Sequence, residues 1–244
     1  MAHIDEHRTV DLESPVLVEG LPGVGLVGKI AGDHLVREFD MDYYASVRCN
    51  GLPKVAVYAE GERDVRPPVR LYADEGRDLL VLQSDVPVSP NAAQDFASCV
   101  TGWLAENDVT PLYLSGLPEE KEGVPELYGV HTGDAEGLLA DHDIPAPSEN
   151  GMISGPTGAL LAEANEQDLD GLGLVVQANA NFPDPEAARV LLTEAIGPIA
   201  AVDVETDTLV EQADRIAQAR EKLAQQMQQA EEESTRAEPL GMYQ

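Results

Sequence analysis

The chain has few positive charges, and this shortage argues against polyanionic partners. Its 244 residues include 15 Lys plus Arg against 45 Asp plus Glu, which gives a formal net charge of −30. Such a surface repels nucleic acid and anionic membranes. The acids are spread along the whole chain instead of forming one tail, which favours adaptation to multimolar salt in a halophilic archaeal cytoplasm. An acidic mesophilic protein is the alternative.

Cysteines and long apolar runs are also scarce. Cys49 and Cys99 are the only cysteines. Two are too few for a disulfide scaffold and fit a reducing cytoplasm, and Cys99 is interpreted as a small packing residue on a helix. No run reaches the roughly 18 apolar residues of a membrane span, and the first residues lack the apolar core of a secretory signal. The sequence therefore predicts a cytoplasmic protein with no membrane or nucleic-acid partner.

Strand and helix patterns alternate along residues 1–203. Strand patterns occur at 15–19 and in the segments "KVAVYAE", "DLLVLQSD", "TPLYLSGL" and "GLGLVVQA". Four helical patterns are present. The first begins at Val27, the second has Ser89 as cap and Pro90 as its first residue, and the third spans 155–167. The fourth has Asp184 as cap and ends at Gly197-Pro198. The alternation predicts an α/β layered domain over 1–203, with a parallel or mixed sheet covered by helices on both faces.

A separate helix is predicted over residues 204–237. Thr208 and Glu211 form a possible capping box. Apolar or small residues then recur at heptad spacing, weakened by one arginine: Leu209, Ala213, Ile216, Arg220, Leu223, Met227 and Ala230. This seam predicts either a coiled coil with another subunit or packing against the protein's own domain. Pro239 and Gly241 end the helix and leave 238–244 as a short tail.

The stretch "GLPGVGLVGK" at 20–29 fits two phosphate-binding patterns. The residues concerned are Gly20, Gly23, Gly25, Gly28 and Lys29. Both patterns present backbone N–H groups and a helix N-terminus to an anion. However, Ile30 follows Lys29 and supplies no hydroxyl for Mg²⁺. Two interpretations stay open: an anion or nucleotide site, or a tight turn that packs a helix closely on a strand.

Other chemistry is sparse in this sequence. The five histidines show no metal-ligand spacing with cysteines or acids, and His3 and His7 are interpreted as solvated residues of a loosely held N-terminus. Ser115 and Ser154 precede glycines but lie outside a nucleophile-elbow motif. The sequence therefore predicts no catalytic residue, no metal and no cofactor.

Three segments in this order resemble the archaeal members of the proteasome assembly chaperone family: "VLVEGLPGVGLVGKIAGDHLV", "SGPTGALL" and "NFPDPEAARVLL". The resemblance covers most of residues 14–203. It implies a fold similar to purine nucleoside phosphorylases, a homo-oligomer, and a non-catalytic protein that binds proteasome α-subunits or the core particle. Some members are labelled ATP-grasp proteins. A nucleotide- or anion-binding enzyme that uses residues 20–29 is therefore the alternative.

The chain ends in "GMYQ". Met242, Tyr243 and Gln244 match the hydrophobic–Tyr–any-residue motif with which proteasome activators and some members of this family enter pockets between α-subunits. The apolar side chain and the Tyr ring can be buried, and the terminal carboxylate can meet a lysine or backbone N–H groups. The resemblance implies that this tail docks. The number of subunits stays open, as does the choice between an assembly intermediate and the mature proteasome.

Overall fold

The structure is a computed structural model that describes residues 3–58, 61, 63–119 and 123–213. The strands in these ranges are β1 (His3–Glu6), β2 (Val16–Gly20), β3 (Asp42–Arg48), β4 (Val69–Asp74), β5 (Leu79–Ser84), β6 (Thr110–Pro118), β7 (Leu127–Thr132) and β8 (Gly171–Ala178). The helices are α1 (Val27–Glu38), α2 (Ala93–Glu106), α3 (Glu136–Asp141), α4 (Gly155–Glu166), α5 (Pro185–Leu191) and α6 (Gly197–Ala200). A 3-10 turn (Val24–Leu26) precedes α1, and a π-helical segment (Leu192–Ile196) joins α5 to α6.

The strands form one mixed sheet in the order β1-β3-β4-β5-β2-β6-β8-β7. The four central strands β5, β2, β6 and β8 are parallel, while β1, β3 and β4 on one side and β7 on the other pair antiparallel. The predicted mixed α/β sheet is therefore confirmed. The ends of the four parallel strands share one edge of the sheet, which we call the carboxyl edge.

Helices cover both faces of the sheet because its central strands are apolar on both sides. Val18 of β2 belongs to a buried cluster with residues of α1 and α5. The preceding residue, Leu17, belongs to a second cluster with residues of α2 and α4. Successive side chains of a strand point to opposite faces, so the two clusters lie on opposite sides of the sheet. The likeness to purine nucleoside phosphorylases stays a prediction.

Two elements differ from the sequence prediction in the first half of the chain. The described part of "KVAVYAE", residues 54–58, is not a strand of the sheet, because Val57 pairs with Arg66 in an isolated bridge between β3 and β4. Helix α2 begins at Ala93, and not directly after Ser89. Residues 89–92 instead form a turn in which the Ala92 N–H donates to the Ser89 carbonyl at 2.9 Å.

The N-terminal residues are better ordered than the sequence indicates. His3 to Glu6 form the edge strand β1, which pairs antiparallel with β3. His7 lies 2.6 Å from the Ser46 hydroxyl through its Nε2 atom and stacks near the Tyr43 ring. The expectation of a loosely held N-terminus is therefore wrong, although His3 and His7 are both exposed, as predicted. The polar sequence conceals the strand because an edge strand needs few apolar side chains.

Cys49 and Cys99 form a disulfide across a sequence separation of 50 residues. The bond joins the residue after β3 to helix α2. The interpretation of Cys99 as a mere packing residue is wrong, because two distant cysteines can be recognised as partners only once the fold brings them together.

The C-terminal part of the domain also differs from the prediction. Gly197-Pro198 does not end the helix, because α6 continues to Ala200 and the left-handed residue Ala201 follows. The next helix begins at residue 207, so Thr208 lies inside it instead of capping it. The Thr206 carbonyl accepts from the Leu209 N–H at 2.9 Å.

The start of the heptad seam packs on its own domain. Leu209, the first seam residue, is fully buried in the cluster that contains α1 and α5. The His34 Nε2 atom also lies 2.7 Å from the Glu205 carbonyl, which holds the approach to this helix against α1. The seam from Ile216 onward and the tail lie outside the described residues, so pairing between subunits stays a prediction.

Candidate functional site

The glycine-rich stretch joins β2 to α1 at the carboxyl edge, and two of its glycines lie where helix and strand meet. A Cβ on Gly20 would lie 3.0 Å from the Leu82 carbonyl oxygen. A Cβ on Gly28 would lie 3.1 Å from the carbonyl oxygens of both Glu19 and Leu21. Any larger residue at these two positions would force α1 away from the sheet, which favours the packing interpretation of the stretch.

The middle of the stretch is held by the loop after β8. Gly25 has a left-handed φ of 61°, and a Cβ there would lie 3.0 Å from the Cβ of Ala178. The Gly25 carbonyl accepts from the Asp184 N–H at 2.8 Å. Gly23 is extended, with no neighbour that a Cβ would meet within 4 Å. Gly25 therefore has a steric reason to be glycine and Gly23 has none in this structure.

The stretch fills the crevice that such a sheet ordinarily offers to ligands. In open α/β sheets, ligands bind in the crevice outside the carboxyl ends of the strands, at the point where the strand order reverses. Here a Cβ on Gly116 of β6 would lie only 2.5 Å from the Val24 carbonyl oxygen. The turn therefore lies directly on β6 and leaves little space between the turn and this strand.

Lys29 is engaged by carboxylates of its own domain. Its ammonium lies 2.6 Å from one Asp33 oxygen and 3.4 Å from an Asp85 oxygen. Its side chain is only 20% exposed. Arg70 pairs with the same Asp85 at 2.7 Å, so two cations and two acids are joined at this point. An ammonium with two carboxylate partners is not presented to a nucleotide phosphate, unlike the lysine of a P-loop.

Glu19, which sequence reasoning missed, lies buried beneath the glycine stretch with 1% of its surface exposed. Backbone pairing between β2 and β6 ends at Val18. Beyond that point the Glu19 carboxylate accepts from the Leu114 N–H at 2.9 Å and from the Thr157 hydroxyl at 2.8 Å. Burial raises the pKa of this carboxyl from 4.5 to about 8, although the two hydrogen bonds lower it. The sequence feature that could have revealed this buried carboxyl group is the single acid at the end of the apolar run in "VLVEG".

These contacts join the three segments of the family resemblance. The hydrogen bond from Thr157 to Glu19 links the "SGPTGALL" segment to the first segment. The bond from Asp184 to Gly25 links the "NFPDPEAARVLL" segment to it as well. The buried Asp184 carboxylate also caps α5 by accepting from the Ala187 N–H at 3.1 Å. The three segments therefore form one structural unit at the carboxyl edge.

Outside the glycine stretch, the described residues form cavities but no metal centre. Two cavities, of about 560 and 490 Å³, lie away from the glycine stretch; one is lined by residues that include Arg8 and Arg77, the other by Leu192 and Val204 among others. Within the described ranges, no group of three or more His, Cys, Asp or Glu is placed to hold a metal ion. The same ranges contain no helix with the length and apolar character needed to cross a membrane.

We expect Glu19→Gln to raise the melting temperature above that of the parent at pH 9 but not near pH 5. The folded protein holds the Glu19 proton to a higher pH than the unfolded chain, since its pKa is about 8 against 4.5. The stabilising contribution of Glu19 is therefore fully present below pH 4.5 and is lost as the pH rises through about 8. The loss is at most about 1.4 kcal/mol per pH unit.

Glutamine stays neutral and keeps a carbonyl oxygen for the Leu114 N–H. Melting curves of parent and variant between pH 5 and 9 measure the difference, and the exposed Glu166→Gln is the matched control. If the melting temperatures of the parent and of Glu19→Gln changed with pH in the same way, Glu19 would titrate like an exposed acid and the prediction would be wrong.

The predicted docking residues Met242, Tyr243 and Gln244 lie outside the described residues. Their proposed role therefore depends on the sequence and on the relatives of the chain.

Comparison with known proteins gives consistent matches over nearly the whole chain. The family model described as "PAC2 family" matches residues 17–224. The protein MJ0106 of Methanocaldococcus jannaschii is 26% identical over 223 residues, which cover 91% of this chain and 90% of that protein.

Solved structures match over a similar extent. Pyrococcus furiosus PbaA, described as an archaeal homolog of proteasome-assembly chaperone, has a TM-score of 0.77 and 25% identity, covering 93% of this chain and 99% of PbaA. PbaB of the same organism, described as an archaeal proteasome activator, has a TM-score of 0.75 and 22% identity, covering 91% of this chain and 98% of PbaB. At 22% identity the second likeness shows the fold alone.

Proposed function

The chain belongs to the PAC2 family, and from this we propose that it is a non-catalytic proteasome-binding protein of the assembly-chaperone type. The observation that carries the proposal is the similarity to PbaA, a homolog of proteasome-assembly chaperone, over 93% of this chain and 99% of that one. A match of this extent includes the complete domain of the relative. The proposed setting is the cytoplasm of a halophilic archaeon.

The carboxyl edge supports a non-catalytic role. The turn at Val24 lies on Gly116, and Lys29 is paired with Asp33 and Asp85. The buried Glu19 has both carboxylate oxygens in hydrogen bonds to the chain itself. These groups are used to hold the fold together. The alternative of a nucleotide- or anion-binding enzyme at residues 20–29 therefore gains no support from the geometry.

Part of the proposal is that the C-terminal residues make the contact. Met242 and Tyr243 bury in a pocket between proteasome α-subunits, and the carboxylate of Gln244 binds a cation or backbone N–H groups at its rim. A single tail of three residues binds weakly, because it buries little area and loses conformational freedom. A homo-oligomer presents several tails at once, which raises the effective affinity by about 10²–10⁴-fold.

The test is size-exclusion chromatography with light scattering in molar KCl, using the full chain and purified α-subunits. We expect the two proteins to elute together at a mass that exceeds either alone, and a parallel run with the assembled core particle distinguishes an assembly intermediate from the mature partner. An unrelated halophilic protein of similar net charge is the control for non-specific association. Separate elution from both α-subunits and core particle would refute the proposal.

A further inference from the structure

An exposed two-legged arm projects between β3 and β4. We define the arm as residues 52–58 and 63–67, which are joined by the backbone pair Val57 and Arg66. Val55, Tyr58 and Val65 on the arm are 47%, 80% and 67% exposed. The arm lies at the carboxyl edge, because β3 ends and β4 begins there.

The composition of the arm is that of a packed strand. The first leg reads "LPKVAVY", in which valine and tyrosine are residues that strands favour because they pack on a pleated surface. Among the described residues, this leg pairs with another segment only through the bridge between Val57 and Arg66, and the Val55 N–H donates to the Pro53 carbonyl within the leg at 3.0 Å. An exposed apolar segment with strand-forming residues is a favourable site for association with another chain.

The base of the arm is held firmly on both legs. The Cys49–Cys99 disulfide precedes the first leg, and Leu52 packs against the cluster that contains α2. On the second leg, the Arg66 guanidinium donates to the Tyr72 hydroxyl at 3.2 Å and lies over the Tyr43 ring. The arm is therefore presented in a fixed direction, which lowers the entropy cost of binding a partner.

The charge of this stretch is also unusual for the chain. Residues 52–67 carry three basic and three acidic side chains, in a protein whose net charge is −30. Two copies of so acidic a protein repel each other over most of their surface. A neutral, apolar segment can contact a second copy without adding to that repulsion.

We propose that the arm is the contact through which one copy of this chain binds a second copy. This inference rests on the homo-oligomer of the proposed function and names the surface that forms it. Val55, Tyr58 and Val65 are buried against the neighbouring copy, and the exposed cations Lys54 and Arg63 face its acidic surface.

The test compares Val65→Asp with Val124→Asp. Both valines are 67% exposed, but Val124 lies outside the arm. We expect the oligomer of Val65→Asp to dissociate at a protein concentration about tenfold or more above that at which the parent oligomer dissociates, because a charge would be buried in the contact. At low concentration it should then reach the mass of a single 26.1 kDa chain. Val124→Asp should keep the parent mass. The measurement is light scattering across a dilution series in molar KCl.

A second variant, Arg63→Glu, gives an independent check because it makes the arm acidic without burying a new group in the folded monomer. We expect it to weaken association as well, and circular dichroism should show the parent fold in all three variants. Equal masses for Val65→Asp, Arg63→Glu and the parent would overturn the inference, as would equal dissociation by Val65→Asp and Val124→Asp. A monomeric parent would overturn both the arm contact and the homo-oligomer.

The same proteins separate this inference from the proposed function. If the parent oligomer fails to bind α-subunits and Val65→Asp still dissociates it, the arm contact stands and the proteasome proposal fails. If the parent binds α-subunits while the arm variants keep its mass, the proteasome proposal stands and the arm contact fails.

Discussion

Tyr243→Ala should reduce binding of the proposed homo-oligomer to proteasome α-subunits, its proposed partner, by about 10²-fold or more, while leaving its mass and melting temperature unchanged. The loss exceeds that of one contact because every subunit carries the change. Several weak tails acting together lose their combined advantage when each of them is weakened. We expect the fold to be unaffected, because the buried clusters of the described residues reach no further along the chain than Leu209.

Two further variants show whether the carboxylate of Gln244 takes part in this contact. Adding one alanine after Gln244 moves the carboxylate without altering any side chain, and we expect it to weaken binding as severely as Tyr243→Ala. Gln244→Ala is the matched control, because the motif accepts any residue at its last position and the carboxylate stays in place. We therefore expect Gln244→Ala to bind like the parent.

Surface binding to immobilised α-subunits in molar KCl measures all four proteins. Parent-like binding by both Tyr243→Ala and the extended chain would exclude the tail as the docking element. The partner surface would then lie on the α/β domain, and the carboxyl edge would be the next place to test.

Removing the disulfide should lower the stability of the protein by about 4 kcal/mol. The bond closes a loop of 50 residues between Cys49 and Cys99, and a cross-link of that span restricts the unfolded chain to this extent in the chain-entropy estimate. For a protein of this size the loss corresponds to a fall of about 8 °C in the melting temperature. Cys49→Ala combined with Cys99→Ala is the suitable variant, because alanine fills the buried site at Cys49 without adding a polar group.

Thermal melts with and without reductant measure the effect. Reductant should lower the melting temperature of the parent to that of the double variant and should leave the double variant unchanged. If reductant has no effect on the parent and the protein denatured without reductant yields two free thiols per chain, the two cysteines are unpaired in solution. That result would agree with the expectation from composition alone.

The two predictions depend on different links between sequence and function. The tail prediction requires only the identity and position of the last residues, because the terminal carboxylate is part of the motif. The disulfide prediction requires the fold, because the sequence does not show that the end of β3 lies beside α2. If the tail prediction fails, the description of the α/β domain is unchanged. If the disulfide prediction fails, the proposed binding to the proteasome is unchanged.

The sequence by itself determined the α/β class, because periodicity and turn residues are local signals. The strand "GLGLVVQA" and the cap at Asp184 occur where the pattern predicts them. The glycine stretch is likewise recognisable as a strand-to-helix turn. The net charge and the terminal "MYQ" motif are also properties of the chain alone, and the order of three segments led to the family.

Only the tertiary structure decided what depends on distant neighbours. Glu19 becomes a buried group with a raised pKa because its pairing partner strand β6 ends its register with β2 at Val18, and Thr157 arrives from another part of the chain. Lys29 changes from a candidate phosphate ligand to an ion-pair partner because Asp85 follows a strand that lies beside β2. "KVAVYAE" has the local composition of a strand, yet its described residues 54–58 pair with no strand of the sheet. Local pattern fixes which conformation a segment favours, whereas pairing, burial and charge state are set by contacts between residues far apart in sequence.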